Sequence, residues 1–185
     1  MINEDLQVLK RIEEQAKKIF LPIVGGVKGQ FLENMVERKQ PTLILEIGTL
    51  VGYSTILMAR NLKKGKVITI EISEEYAKIA KKNIKDAGLN DKVKILIGNA
   101  IKIIPSLKEK FDLVFIDAAK EEYLSYLKLL EKNKNISKGS IIIADNAKIF
   151  ASSMKDYLHY VRNSGSYDSK FYDFKEDGME VSVKI

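Results

Sequence analysis

Thr42 to Ser54 reads TLILEIGTLVGYS, and the fold is decided there. Leu43-Ile44-Leu45 is a short apolar run preceded by the breaker Pro41, the pattern of a buried strand. Glu46 follows, and then the turn Gly48-Thr49-Leu50-Val51-Gly52. From Tyr53 to Ala59 the apolar residues return at helical spacing. Strand, glycine turn and helix in that order place a ligand at the carboxyl end of the strand, beside the unpaired N–H groups that open the helix.

The turn departs from the dinucleotide fingerprint G-x-G-x-x-G. Its glycines are spaced G-x-x-x-G, and no Walker lysine follows. An acid at Glu46 repels phosphate and suits a cationic ligand. A second acid, Glu71, ends the next apolar run, Lys66 to Ile70, about 20 residues on, where a Rossmann unit grips a ribose diol. An adenosine with a positive tail and no phosphate describes S-adenosylmethionine. The bland reading of Glu46 is a surface salt-bridge partner.

Outward from this unit the chain alternates. Two amphipathic helices are expected before it: Ile2 to Phe20, with Leu6, Leu9, Ile12, Ala16, Ile19 and Phe20 on one face, and Lys28 to Arg38, with Phe31, Leu32, Met35 and Val36 inward. Pro22 to Gly26 separates them. After it come strands at Val67–Ile70, Val93–Ile97, Phe111–Ile116 and Ser140–Ala144. The helices between them are a Ser73-capped one ending at Gly88, a short one reaching Leu107 and one over Ala119–Asn133. A helix over Ala151–Arg162 and a hairpin of Lys170–Phe174 and Met179–Ile185 about Glu176-Asp177-Gly178 close the chain. The expected fold is α/β and Rossmann-like: a seven-stranded, mostly parallel sheet with an antiparallel C-terminal hairpin strand and helices on both faces. It forms one domain over residues 1–185, with 1–40 as an N-terminal helical cap.

Composition bounds the function. The chain has no cysteine, which excludes disulfides, zinc–thiolate sites and thiol catalysis. No run is apolar enough to span a membrane, and the first residues do not look like a secretory signal, so a cytoplasmic protein is expected. The net charge of +6 is compatible with an RNA partner. Lys and Glu are mixed along the chain, however, and an ion-pair-laced surface accounts for the charge as well.

In such a sheet the strand ends converge on one rim, here Glu46, Glu71, Asn99-Ala100, Asp117 and Asp145-Asn146. An acidic rim in a basic protein needs a cation to offset it. Asp117, Asp145 and Asn146 are oxygen donors that suit Mg²⁺, Mn²⁺ or Ca²⁺. Equally, Asp117 could cap a helix and Asp145-Asn146 form an Asx turn. Lys120, three residues past Asp117, can point into the same cleft as a general base, although a surface position is the commoner fate of a lysine. The single histidine, His159, reads as a packing or surface residue.

From about Gly25 to Ile185 the chain resembles the cation-dependent O-methyltransferases, the group of the catechol and caffeoyl-coenzyme A enzymes. The resemblance rests on Lys28-Gly29-Gln30, LEIGTLVGYS (Leu45–Ser54), Ile70-Glu71, Ile104-Pro105, FDLVFIDAAKEEY (Phe111–Tyr123), Ala144-Asp145-Asn146 and Asp177-Gly178. It implies methyl transfer from S-adenosylmethionine to a metal-bound hydroxyl of a small phenolic or catechol-like substrate. Asp117, Asp145 and Asn146 match the metal ligands, Lys120 the base, and Glu71 the ribose acid. Val24, Glu46, Gly48, Ser54, Ala100 and Asp117 match positions near the cofactor.

Three departures bear on the substrate. The position of the acid that steadies a second hydroxyl falls near Phe171; Ala147 to Phe150 lacks the usual pattern; and long insertions are missing. Catechol itself is therefore less favoured than a small or exposed phenolic hydroxyl. The rival readings are a tRNA hydroxyuridine O-methyltransferase of the same family, a catalytically silent cofactor-binding protein and, more remotely, a dehydrogenase. The first helix either covers part of the chain's own core or binds a second subunit, which points to a homodimer.

Overall fold

The structure, a computed structural model, describes residues 3–185. Strands β1 (Leu43–Ile47), β2 (Lys66–Glu71), β3 (Val93–Ile97), β4 (Leu113–Ile116), β5 (Ile141–Ala144), β6 (Tyr167–Asp173) and β7 (Gly178–Lys184) form one sheet in the order β3-β2-β1-β4-β5-β7-β6. The first five pair in parallel, and β7 runs antiparallel to both β5 and β6. The expected mostly parallel sheet with an antiparallel hairpin is what forms.

Strand alternation sorts the core into two layers. Helices α1 (Glu4–Ala16), α2 (Gly26–Lys39), α3 (Tyr53–Arg60) and α4 (Glu74–Asp86) cover one face, where Ile12, Leu32, Ile44, Ile56 and Phe115 meet. Helices α5 (Ala100–Ile103), α6 (Tyr123–Lys132) and α7 (Lys155–Asn163) cover the other, around Leu45, Ile47, Val114, Leu127 and Tyr157. Central strands covered on both faces are apolar at nearly every position, as the LILEI and LVFI runs are.

Several boundaries differ from expectation; β4 starts at Leu113 rather than Phe111, and α6 at Tyr123 rather than Ala119. The first helix ends at Ala16 rather than Phe20, because the backbone tightens there: Lys18 N bonds Gln15 O at 2.9 Å, and Pro22 biases the chain before it away from helix. Ile2, its expected start, lies outside the described residues. The last helix begins at Lys155, not Ala151, after a run of turns that Asn146 opens at φ 62°. Strand β6 starts at Tyr167, three residues ahead of the expected Lys170.

The first helix is not a free arm. Val8, Leu9 and Ile12 are buried within the chain's own core. Polar bonds fix the outer turns: Arg60 Nε to Asp5 Oδ2 at 2.7 Å, Tyr53 Oη to Glu13 Oε1 at 2.5 Å and Arg11 Nη2 to Asp86 Oδ2 at 2.9 Å. The apolar face that pointed to a homodimer is thus used internally, while Leu6, Ile19 and Phe20 stay exposed. Truncating Ile12 to Ala should cost about 2–5 kcal/mol in urea unfolding, independent of protein concentration. A loss below about 0.5 kcal/mol, the range of ordinary surface substitutions, would show that this face is not buried in the monomer.

Candidate active site

The strand order reverses between β1 and β4, the switch point at which open α/β sheets bind ligands. There the turn after β1 passes against the end of β4. A Cβ on Gly48 would collide with the backbone carbonyl of Asp117, and its φ of 104° is one that side chains avoid. Gly48 N bonds Ile70 O at 3.0 Å and Asp117 N bonds Ile47 O at 2.9 Å, so the ends of β1, β2 and β4 are knit together below the turn.

Above them opens a cleft of about 890 Å³, large enough for a cofactor and a small second molecule. Val24, Gly48, Ser54, Glu71, Ala100, Asp117, Lys120, Asp145 and Asn146 all line it. Nine of the ten residues singled out in the sequence are therefore brought to one wall system. Toward β2, the Glu71 carboxylate accepts from Leu50 N at 2.7 Å and Ser73 N at 2.9 Å, which fixes its orientation at the cleft. Ile72, Tyr76 and Gly98 flank it. Toward β4 and β5 lie Asp117, Lys120, Asp145 and Asn146, with Ile149 and Phe150 at the lip.

Glu46 is the tenth, and it is elsewhere. Strand β1 runs on to Ile47, so Glu46 is an interior residue paired between Thr69 and Phe115, with no solvent exposure. Its side chain faces α3, where Ser54 Oγ donates to Oε1 at 2.6 Å and Thr55 Oγ1 donates to Oε2. It is neither a surface salt-bridge partner nor a free charge offered to the ligand. Burial pushes its carboxyl up to about 7, against the Ser54, Thr55 and Thr69 hydroxyls, which pull it down.

Two lysines meet the acids of the rim. Lys120 Nζ bonds Asp117 Oδ1 at 2.7 Å, from the short helical turn that precedes α6. Lys28, in the first turn of α2, bonds Asp145 Oδ1 at 2.7 Å, Asp145 Oδ2 at 2.9 Å and Asp177 Oδ2 at 2.6 Å. Burial and the nearby Asp117 charge push the Asp145 carboxyl up to about 6, opposed by Lys28. Burial would raise Asp177 as well, but its bonds from Lys28 and Asn146 hold it below the ordinary carboxylate value.

The roles of Lys28 and Asp177 were not legible beforehand, although both lie in quoted motifs. One signal was available for Lys28: a lysine in the first turn of a helix runs against the helix dipole and calls for a compensating acid. The hairpin's acid at the site is Asp177. Phe171, the position at which the resemblance implies an acid, packs on the core of the second layer, and Asp173 pairs with Lys148 at 2.9 Å. His159 is exposed on α7, as expected.

Among the described residues, no three His, Cys, Asp or Glu side chains gather at metal-ligand spacing. The oxygen set at the cleft is two carboxylates and an amide. Asn146 Nδ2 is spent on Asp177 Oδ2 at 2.7 Å, which leaves its Oδ1 without a protein donor among the described residues. Hard oxygens of this kind suit a divalent cation of the Mg²⁺ type.

A glycine turn, a ribose-height acid and a charged rim at the switch point define an α/β protein of the nucleoside-cofactor kind. Comparison with known proteins makes the class specific: residues 2–159 match the O-methyltransferase family, and the chain belongs to it. Catechol O-methyltransferase B of Danio rerio is 42% identical over 86% of this chain and 64% of its own length. The catechol O-methyltransferase of Sus scrofa is 35% identical over 86% of this chain and 91% of its own. Over the first three curated relatives the chain spans 61–64% of their length. Among solved structures, an O-methyltransferase from Bacillus cereus in complex with SAH superposes with a TM-score of 0.85 at 29% identity, covering 97% of this chain and 91% of that one. No helix of the described residues is long and apolar enough to cross a membrane.

Glu46 supplies a pH test. Its folded pKa of about 7 lies above the ordinary value of 4.5, so the folded state binds the extra proton between the two. Stability is therefore lost as pH rises through that window. Wild type should lose up to roughly 3 kcal/mol relative to Glu46→Gln between about pH 4.5 and 7. A difference that stays flat across this range would mean that Glu46 ionises normally.

Proposed function

We propose that the chain transfers a methyl group from S-adenosylmethionine to a hydroxyl oxygen of a small phenolic or catechol-like acceptor, with a divalent cation, Mg²⁺ by preference, at the acceptor end. One observation carries this reading: a single cleft holds an oriented ribose-type acid, Glu71, at one end and the set Asp117, Lys120, Asp145 and Asn146 at the other. The family and the S-adenosylhomocysteine bound to the Bacillus cereus relative support the choice of cofactor.

Glu71 takes the ribose hydroxyls on its remaining lone pairs, since backbone N–H groups already fix its two oxygens. The turn that Gly48 holds against the Asp117 carbonyl forms the floor on which the cofactor lies. Asp117, Asp145 and Asn146 are the residues that would hold the cation, which when bound lowers the proton affinity of an acceptor hydroxyl. Lys120, an ammonium paired with Asp117 at 2.7 Å in the resting site, sheds a proton to solvent before it takes that hydroxyl's proton, and Asp117 then steadies the ammonium again. The acceptor oxygen forms its bond to the methyl carbon as the carbon–sulfur bond breaks, and sulfur leaves neutral. Apolar lip residues, Ile149 and Phe150, fit the ring of a planar acceptor. The protein's share is alignment and charge placement.

The first experiment is calorimetric titration with S-adenosylhomocysteine, followed by Mg²⁺, for wild type and Asp145→Ala. Cofactor-product binding in both proteins, with Mg²⁺ binding lost in the variant, is the expected result. No binding of the cofactor product to wild type would end the reading. For Lys120→Ala, kcat toward a small phenol should fall about 10²–10⁴-fold while the affinity for S-adenosylhomocysteine is kept. Unchanged turnover would remove the base assignment.

A further inference from the structure

Lys28, which bonds Asp145 of the cleft wall, is a charged residue that the proposed reaction does not use. An ammonium has three N–H donors, and all three are spent here: two on the oxygens of Asp145, at 2.7 and 2.9 Å, and one on Asp177, at 2.6 Å. The side chains are 14% exposed for Lys28, 2% for Asp145 and 10% for Asp177, so water screens the cluster little. Asp177 is held in turn by Asn146 Nδ2 at 2.7 Å and by Ile149 N at 3.3 Å. Lys28 thus engages Asp145 directly and Asn146 through Asp177. Both belong to the oxygen set assigned above to a divalent cation.

We propose that Lys28 is a resident cation that competes with the divalent metal for Asp145 and so sets how tightly the metal is held. The inference rests on the metal-assisted methyltransferase reading and deepens it. A divalent ion approaching Asp145 meets a positive charge already seated on both carboxylate oxygens. Like charges a few ångströms apart in a poorly screened site repel strongly. The alternative is that Lys28 only ties α2 to the ends of β5 and the β6–β7 turn. The two roles agree that losing Lys28 weakens the metal-free protein, because it leaves two buried carboxylates unpaired. They part on the metal: a competitor's removal tightens metal binding, whereas a tie's removal loosens the ligands and weakens it.

The test is titration of MgCl₂ into the protein saturated with S-adenosylhomocysteine, for wild type, Lys28→Met and Lys28→Gln, with thermal melts in EDTA and in Mg²⁺. The Gln variant keeps amide donors for both acids and guards against loss of the fold in the Met variant. The Mg²⁺ dissociation constant should fall roughly tenfold in the variants, the scale expected when one nearby positive charge is removed. Mg²⁺ should also raise their melting temperature more than it raises that of wild type. Mg²⁺ binding to wild type with equal or weaker binding to both variants would overturn the proposal and leave the metal site standing. Absence of Mg²⁺ binding in all three proteins, with S-adenosylhomocysteine still bound, would remove the metal from the reading and this proposal with it.

Discussion

The cleft hangs from a contact too close for any side chain. The turn after β1 passes the end of β4 with Gly48 against the Asp117 carbonyl, and the hydrogen bonds beneath it lock three strand ends in register. This contact sets the floor of the cleft. The start of α3 and the Asp117 side chain both line the cleft above it. The two helical layers hold the strands at the spacing that makes the approach possible, with Phe115 on one face of β4 and Val114 and Ile116 on the other, all without exposure.

Charge is the second constraint. The rim gathers carboxylates that would repel one another if left alone, and the chain answers with ammonium groups from two separate elements. Lys120 comes from the segment just after β4, three residues from its partner. Lys28 comes from a helix that precedes the sheet and pairs across 117 and 149 residues. The first pair is local and partly solvated, so it can yield to a ligand at small cost. The second is poorly solvated and bound on three sides, so a ligand must displace it or work beside it.

What the sequence disclosed followed physical range. The glycine turn, the acids at strand ends and the Ser73 cap, whose Oγ accepts from Tyr76 N at 3.3 Å, depend on neighbours within a few residues, and all were legible. Glu71 was read correctly as the end of its strand because a helix cap follows at once. Glu46 was misplaced because the apolar run seemed to end at Leu45. The strand in fact continues to Ile47, so Glu46 lies within it, and the alternation of side chains turns it toward α3. The Lys28–Asp177 contact joins residues with no local signature of pairing. Whether the first helix packs on the chain's own core or on a second subunit was likewise left open, since an apolar stripe does not name its partner.

The position of β7 has a consequence for biosynthesis. It follows β5 and β6 in the chain, yet it lies between them in the sheet. Until it emerges, β5 carries a bare edge of unpaired backbone and β6 has no strand to join. The strand must then slide between two segments already made, carrying Glu180 to its buried pairing with Arg162 at 2.6–2.9 Å. At about 5–20 residues per second, Lys28 waits roughly 7–30 seconds for Asp177 to be synthesised. The nascent chain can therefore assemble the Glu71 end of the cleft early, while the Asp145 end is completed only once the β6–β7 hairpin has emerged.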